Sequence, residues 1–144
     1  MKLQKATLFA LLAALELARD PTRQLSAAEI AQTYGISANH LAKVLRDLGR
    51  AGLVEALRGA KGGYRFHANA KRVSLYDVMA LFGDTVAGGG DIPHPSDETE
   101  VGRALAQVLN EVDEIAVATL KSVTLATLLK SLERDAKRGI ALSH

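Results

Sequence analysis

Residues 26–66 read Ser26-Ala-Ala-Glu-Ile-Ala-Gln-Thr-Tyr-Gly-Ile-Ser37, then an amphipathic run from Ala38 to Gly52, then Leu53-Val-Glu-Ala-Leu-Arg-Gly-Ala-Lys-Gly-Gly-Tyr-Arg-Phe66. Ser26 and Glu29 have capping-box spacing, which predicts a helix start. Ile30 and Ala31 give that helix an apolar face, and Gly35 can take the left-handed conformation that stops it. Ile36 packs the turn and Ser37 is placed to cap a second helix. In that helix Leu41, Val44, Leu45 and Leu48 recur at helical spacing as one buried stripe. Asn39, Lys43, Arg46 and Arg50 fall on the opposite side, within about 60° of arc. Three cations and one amide suit phosphates and base edges. Charges on a helix more often only meet water, and it is the turn before and the hairpin after that favour binding. Leu53–Leu57 reads as a strand and Tyr64–His67 as its partner, around a tip containing Arg58, Gly59, Ala60, Lys61, Gly62 and Gly63. Glycines let a backbone approach a groove closely. Arg58, Lys61 and Arg65 can enter a minor groove or neutralise phosphates. Helix, turn, helix and basic hairpin together predict a winged helix-turn-helix, with double-stranded DNA as partner. A nucleotide-cradling loop is disfavoured, because no phosphate-loop pattern occurs and no helix follows directly.

The charge distribution agrees. The formal net charge is +2, but residues 1–72 carry 12 Lys and Arg against 5 Asp and Glu, while residues 73–144 carry 6 against 11. The basic field lies in the half with the helix-turn-helix, as nucleic-acid binding requires. With 144 residues, 48% of them hydrophobic, the chain can bury one core and carry an appended helical arm. It has no cysteine, which excludes disulfides, thiol catalysis, thiolate metal sites and a cysteine-held iron–sulfur cluster. Residues 8–15 form an apolar run after two lysines that resembles a signal-peptide core, but Glu16 and Arg19 cut it short. The run is too short to span a bilayer, so no membrane association and a cytoplasmic setting are expected.

Outside the central stretch, residues 3–18 read as a helix apolar nearly all round, which needs partners on more than one side. Ser74 is predicted to cap a short helix through Phe82, with Leu75, Val78, Met79 and Leu81 turned inward. Gly83 to Pro95 reads as a loop, with Gly88-Gly89-Gly90 and with Pro93 and Pro95 flanking His94. A long helix is expected from about Asp97 to Ser122. Leu105, Val108, Val112, Ile115 and Thr119 form its stripe, widened by Val101, Leu109 and Ala116. Its length, roughly 37 Å at 1.5 Å per residue, exceeds so small a domain, and the stripe calls for dimerisation. Thr124 should cap a last helix carrying Leu125, Leu128, Leu129 and Leu132, and the tail after Arg138 reads as disordered. The fold class is therefore mainly α with a small β-hairpin wing, a winged helix-turn-helix plus a long dimerisation helix. Its expected divisions are a DNA-binding domain at 1–83, a linker at 84–97 and dimerisation helices at 98–138.

In this order the elements resemble the Rrf-two family of bacterial winged helix-turn-helix regulators. The resemblance is carried by Met1-Lys-Leu-Gln-Lys-Ala-Thr, Ser26-Ala-Ala-Glu-Ile-Ala, Leu41-Ala-Lys-Val-Leu-Arg-Asp-Leu, Ala51-Gly-Leu-Val, Arg58-Gly-Ala-Lys-Gly-Gly-Tyr-Arg-Phe, Ser74-Leu-Tyr-Asp-Val and Val123-Thr-Leu-Ala-Thr-Leu-Leu. It runs from Met1 to about Leu132, and the wing phrase is its most specific part. The resemblance implies a homodimeric repressor joined through the long helix, one winged helix on each half of a near-palindromic operator. It also implies major-groove reading by Ser37, Ala38, Asn39, His40 and Lys43. The wing residues Arg58, Gly59, Lys61, Gly62, Gly63 and Tyr64 would enter the minor groove. Lys61 departs from the commoner proline or glycine.

The larger departure lies between Val86 and Leu109, where cluster-binding members place three cysteines and this chain has none. Asp91, His94, Asp97, Glu98 and Glu100 offer one histidine and scattered acids, a weak ligand set, so neither metal nor cofactor is expected. The four histidines, His40, His67, His94 and His144, lack zinc-motif spacing, and no G-x-S-x-G occurs. An enzyme is therefore not expected. Two alternatives remain: a metal- or metabolite-responsive regulator using the 83–100 loop or a pocket between wing domain and long helix, and a winged helix serving as a protein-interaction module. The effector is not legible.

Overall fold

The computed structural model describes residues 3–59, 62–84 and 99–142, with the side chains of 140–142 left aside. The expected site residue Lys61 and the candidate ligands Asp91, His94, Asp97 and Glu98 lie outside the described residues, as does Gly88-Gly89-Gly90. The elements in order are α1 (Lys5–Ala18), α2 (Ala27–Tyr34), α3 (Ala38–Arg50), β1 (Val54–Leu57), β2 (Gly63–Phe66), α4 (Leu75–Leu81), α5 (Glu100–Ser122) and α6 (Leu125–Leu142).

The helix starts follow from local chemistry. The Ser26 hydroxyl accepts from the Glu29 N–H at 3.1 Å, and the Glu29 carboxylate accepts from the Ser26 N–H at 3.3 Å. Ser74 and Asp77 repeat that reciprocal pairing at 3.0 and 2.9 Å. Each box satisfies two backbone donors that the first helical turn leaves unpaired. Gly35 ends α2 at φ 64°. Past α3, Gly52 sits at φ 80°. Its N–H donates to the Gly49 carbonyl and the Leu53 N–H to the Leu48 carbonyl, a Schellman ending that aims the chain into β1.

Leu41, Val44, Leu45 and Leu48 are buried as one stripe, packed with Ala10, Ala13, Ala14 and Leu17 of α1, Ile30, Phe66, Val78 and Leu125. The alanines of α1 are small enough for α3 to lie close against it. β1 and β2 pair antiparallel with Val54 opposite Phe66 and Leu57 opposite Gly63. Leu25 and Tyr64 add a further antiparallel bridge, so the wing is anchored to the α1–α2 connection. At the other edge the Leu75 N–H donates to the Val123 carbonyl and the Leu125 N–H to the Val73 carbonyl, both at 2.9 Å. The root of α6 is thereby stitched to the winged-helix body.

Several sequence expectations shift. α1 starts at Lys5 after Gln4, and each strand begins one residue from its expected limit. α5 starts at Glu100, capped by the Thr99 hydroxyl, and its 23 residues span roughly 34 Å. Leu81 is not turned inward but is 47% exposed, because α4 buries only Val78 and Met79 and ends there. The tail after Arg138 is helical to Leu142. Leu, Glu, Arg, Ala and Lys are strong helix formers, and they favour continuation of α6 through its exposed residues 132–139.

Candidate nucleic-acid interface

The second helix of the helix-turn-helix is α3. Its N-cap Ser37 accepts from the His40 N–H at 3.3 Å, so the Ser37 oxygen holds the helix start. Ser37, Ala38 and Asn39 are exposed at that start, and Lys43, Arg46 and Arg50 are exposed farther along. The stripe of four leucine and valine side chains fixes the rotation that turns this face outward. Arg50 lies 3.9 Å from Asp47, an exposed pair too weak to withhold the guanidinium from a phosphate. His40 is half-buried, with its ring edge-on to Phe9 at 4.8 Å between centroids. That contact ties the start of α3 to α1.

In the wing, Arg58 and Gly59 are exposed, and the Gly62 N–H donates to the Gly59 carbonyl at 3.0 Å to close the tip. Gly63 carries a structural task that the sequence did not reveal, beside the groove approach expected of it. At φ 152° its place for a Cβ lies 2.8 Å from the Leu25 carbonyl oxygen, so glycine is required for the wing to pair with Leu25. Tyr64 is half-buried and exchanges backbone hydrogen bonds with Leu25 at 2.8 and 3.0 Å. Arg65 is not free charge, as its sequence position suggested. Its Nε donates to Glu55 Oε1 at 2.9 Å, its Nη2 reaches the same oxygen, and His67 lies 3.5 Å from the other.

One supporting cluster was not legible in the sequence. Glu16, buried on α1, accepts from the Tyr34 hydroxyl at 2.6 Å and from Arg23 at 3.1 Å, with Arg19 at 3.6 Å. Burial alone would push the Glu16 carboxyl up, but the hydrogen bonds from Tyr34 and Arg23 and the charges of Arg19 and Arg23 hold it below its ordinary value. Tyr34 is pushed up to about 12 by burial and by its bond to Glu16. The cluster locks α2 and the α1–α2 connection onto α1. Asp84, at the far end of the body, accepts from the Gln4 N–H at 3.1 Å and so caps α1 from 80 residues away.

A helix-turn-helix with a hairpin wing, its polar helix face turned outward, defines a DNA-binding regulator of the winged-helix class. Residues 3–131 match the model of the Rrf2 (Rrf-two) family, described as iron-dependent transcriptional regulators. The chain is 52% identical over 139 residues, 96% of its length and 87% of the relative's, to a protein assigned as the HTH-type transcriptional regulator BadM of Rhodopseudomonas palustris. It is 34% identical over 137 residues, 91% of its length and 86% of the relative's, to protein aau3 of Rhizobium meliloti. Among solved structures, CymR, the global cysteine regulator of B. subtilis, aligns with a TM-score of 0.71 and 26% identity over 91% of this chain and 98% of that one. IscR of T. potens aligns with a TM-score of 0.68 and 25% identity over 94% and 90%. The chain belongs to the Rrf2 family and is a DNA-binding transcriptional regulator; the family is not enzymatic.

The iron in the family's description finds no thiolate here, since the chain has no cysteine. Among the described residues no group of three or more His, Asp or Glu side chains is placed to hold a metal ion. The donor set therefore does not fit a cysteine-ligated iron–sulfur cluster. No helix among the described residues is long and apolar enough to cross a membrane.

Proposed function

We propose that the chain acts in the cytoplasm as a homodimeric repressor that grips a near-palindromic operator with two winged helices. Asn39, with Ser37, Ala38, His40 and Lys43 beside it, reads the major groove. Arg46 and Arg50 bind phosphates, and Arg58, Gly59, Lys61 and the following glycines enter the minor groove. Residues 1–83 serve as the DNA-binding unit, 84–97 as linker and 98–138 as the dimerisation arm. Repression and the operator's symmetry are what the family resemblance implies. The observation that carries the DNA reading is the exposed row Asn39, Lys43, Arg46 and Arg50, backed by a fully buried stripe on the same helix.

The dimer rests on α5. Val101, Leu105, Val108, Leu109, Val112 and Ile115 are all exposed, Ile115 at 67% and Val101 at 80%. So long an apolar row on a single chain calls for a covering surface, and an antiparallel copy of the same row is self-complementary. Thr119 closes the row, its hydroxyl turned back to the Ile115 carbonyl at 2.9 Å.

Sensing proceeds without a cysteine-ligated iron–sulfur cluster, because the chain has no thiolate to hold one. The test is to sequence genomic DNA retained by the purified protein, then measure binding to the recovered site. A recurrent inverted repeat is expected, bound equally tightly by protein prepared with and without iron and sulfide. A single unpaired half-site, or an affinity that follows iron loading, overturns the respective part of the reading.

A further inference from the structure

A cleft of about 450 Å³ lies between the winged-helix body and α6, within the size range of small-molecule sites. Its floor is apolar: Phe66 of β2, Ala68 of the following turn and Leu129 of α6. Across it the Ala126 N–H donates to the Ala70 carbonyl at 3.0 Å, which joins α6 to the body beside the cleft. Its rim carries Lys71, Lys130 and Glu133, all exposed. Among the described residues none of these three forms an ion pair. The rim thus presents two ammonium groups against one carboxylate, above a floor that water solvates poorly.

We propose that this cleft binds a small organic monoacid, a carboxylate carried on an apolar aromatic or aliphatic body. The apolar body covers Phe66, Ala68 and Leu129, and the carboxylate takes hydrogen bonds from Lys71 and Lys130. Glu133 repels a second negative charge, which selects a monoanion over a diacid or a phosphate. The walls come from the DNA-binding body on one side and α6 on the other, so a bound acid touches both. Only its consequence for DNA binding rests on the regulator reading; the site itself does not.

The experiment is calorimetric titration of the purified full chain, without DNA, against phenylpropionate, hexanoate, phenylpropionamide and phenylpropylamine. Both acids are expected to bind saturably at one site per chain, and the amide and the amine at least about tenfold more weakly. Lys71→Gln and Lys130→Gln, both at exposed positions, should each weaken the acids about two- to fivefold, the size of one exposed charge-assisted contact. Glu133→Gln should tighten them, and far-ultraviolet circular dichroism checks that each variant is folded. Equal affinity for acid and amide, acid binding unchanged in the double lysine variant, or no saturable binding at millimolar acid overturns the proposal. Because DNA is absent, failure of operator binding in a separate titration counts against the regulator reading and leaves the cleft untouched.

Discussion

At Gly63 two backbones meet where a side chain would stand. A Cβ there would lie 2.8 Å from the Leu25 carbonyl oxygen, at a φ of 152° that other residues rarely adopt. Gly63→Ala should cost about 1–3 kcal/mol in chemical denaturation and weaken binding to operator and random DNA alike by displacing the wing. A variant as stable as the parent would show that the Leu25 bridge is dispensable. The glycine was visible in the sequence; its cause was not, because Leu25 lies 38 residues away and nothing local marks it as a strand partner. Glu16 is similar, an acid in an apolar helix whose partners sit in two other segments. Its folded pKa is lowered, so its contribution is full above the ordinary value of 4.5 and is lost as pH falls through the folded value. Tyr34 is raised, so its contribution is full below 10.0 and is lost as pH rises toward about 12. Tyr34→Phe should cost about 1–3 kcal/mol at neutral pH and flatten the alkaline loss between those two values. Melting temperatures measured across pH for both proteins test this, and parallel alkaline curves would show that Tyr34 does not drive the loss.

Among the elements, those with chemistry at their own ends were the legible ones. Ser26 with Glu29, Ser74 and Gly35 state where helices start or stop without reference to the rest of the chain, and the structure adds Asp77 as the partner of Ser74. The stripe on α3 likewise fixed which face turns outward, and with it the candidate DNA-reading row. Burial that depends on neighbours was harder to read. Leu81 has the right spacing on α4 to be buried, yet it is 47% exposed while its neighbours Val78 and Met79 are buried. The last turns of α6 were missed for the opposite reason: residues 132–139 are exposed and carry no buried period to mark them, while most are good helix formers. The exposed face of α3 leads to a division of labour between two neighbours. Lys43→Ala should weaken every duplex and reduce the slope of log K against log salt by about one unit, the signature of a single phosphate contact. Asn39→Ala should cost about 1–3 kcal/mol on the operator and little on random DNA, the signature of a base contact. Fluorescence anisotropy at several salt concentrations separates them, and equal losses for Asn39→Ala on both DNAs would remove it from sequence readout.

The whole molecule divides its charge and its apolar surface between its two ends. The basic half folds around α3, and the acidic half supplies α5, whose row of exposed aliphatic side chains finds no cover within the described part of the chain. That separation is what the proposed division of tasks calls for: phosphates demand a positive field, and an arm that does not touch DNA gains nothing from one. Spacing in the sequence was enough to find the α5 row, since period and length are local properties, whereas what covers it depends on a second molecule. Val112 and Ile115 are 56% and 67% exposed in one chain, so a charge placed there costs the isolated chain little. Buried against a second copy, the same charge loses its water without gaining a partner and should cost several kcal/mol. Ile115→Glu should therefore leave the fold and melting of the winged-helix body nearly unchanged while shifting the protein from dimer to monomer in sedimentation at micromolar concentration. Operator affinity should fall by far more than the affinity of one winged helix for a half-site, because the second contact is no longer intramolecular. A wild-type chain that already sediments as a monomer, or an Ile115→Glu variant that still sediments as a dimer, would mean that α5 is covered by something other than a second copy of itself.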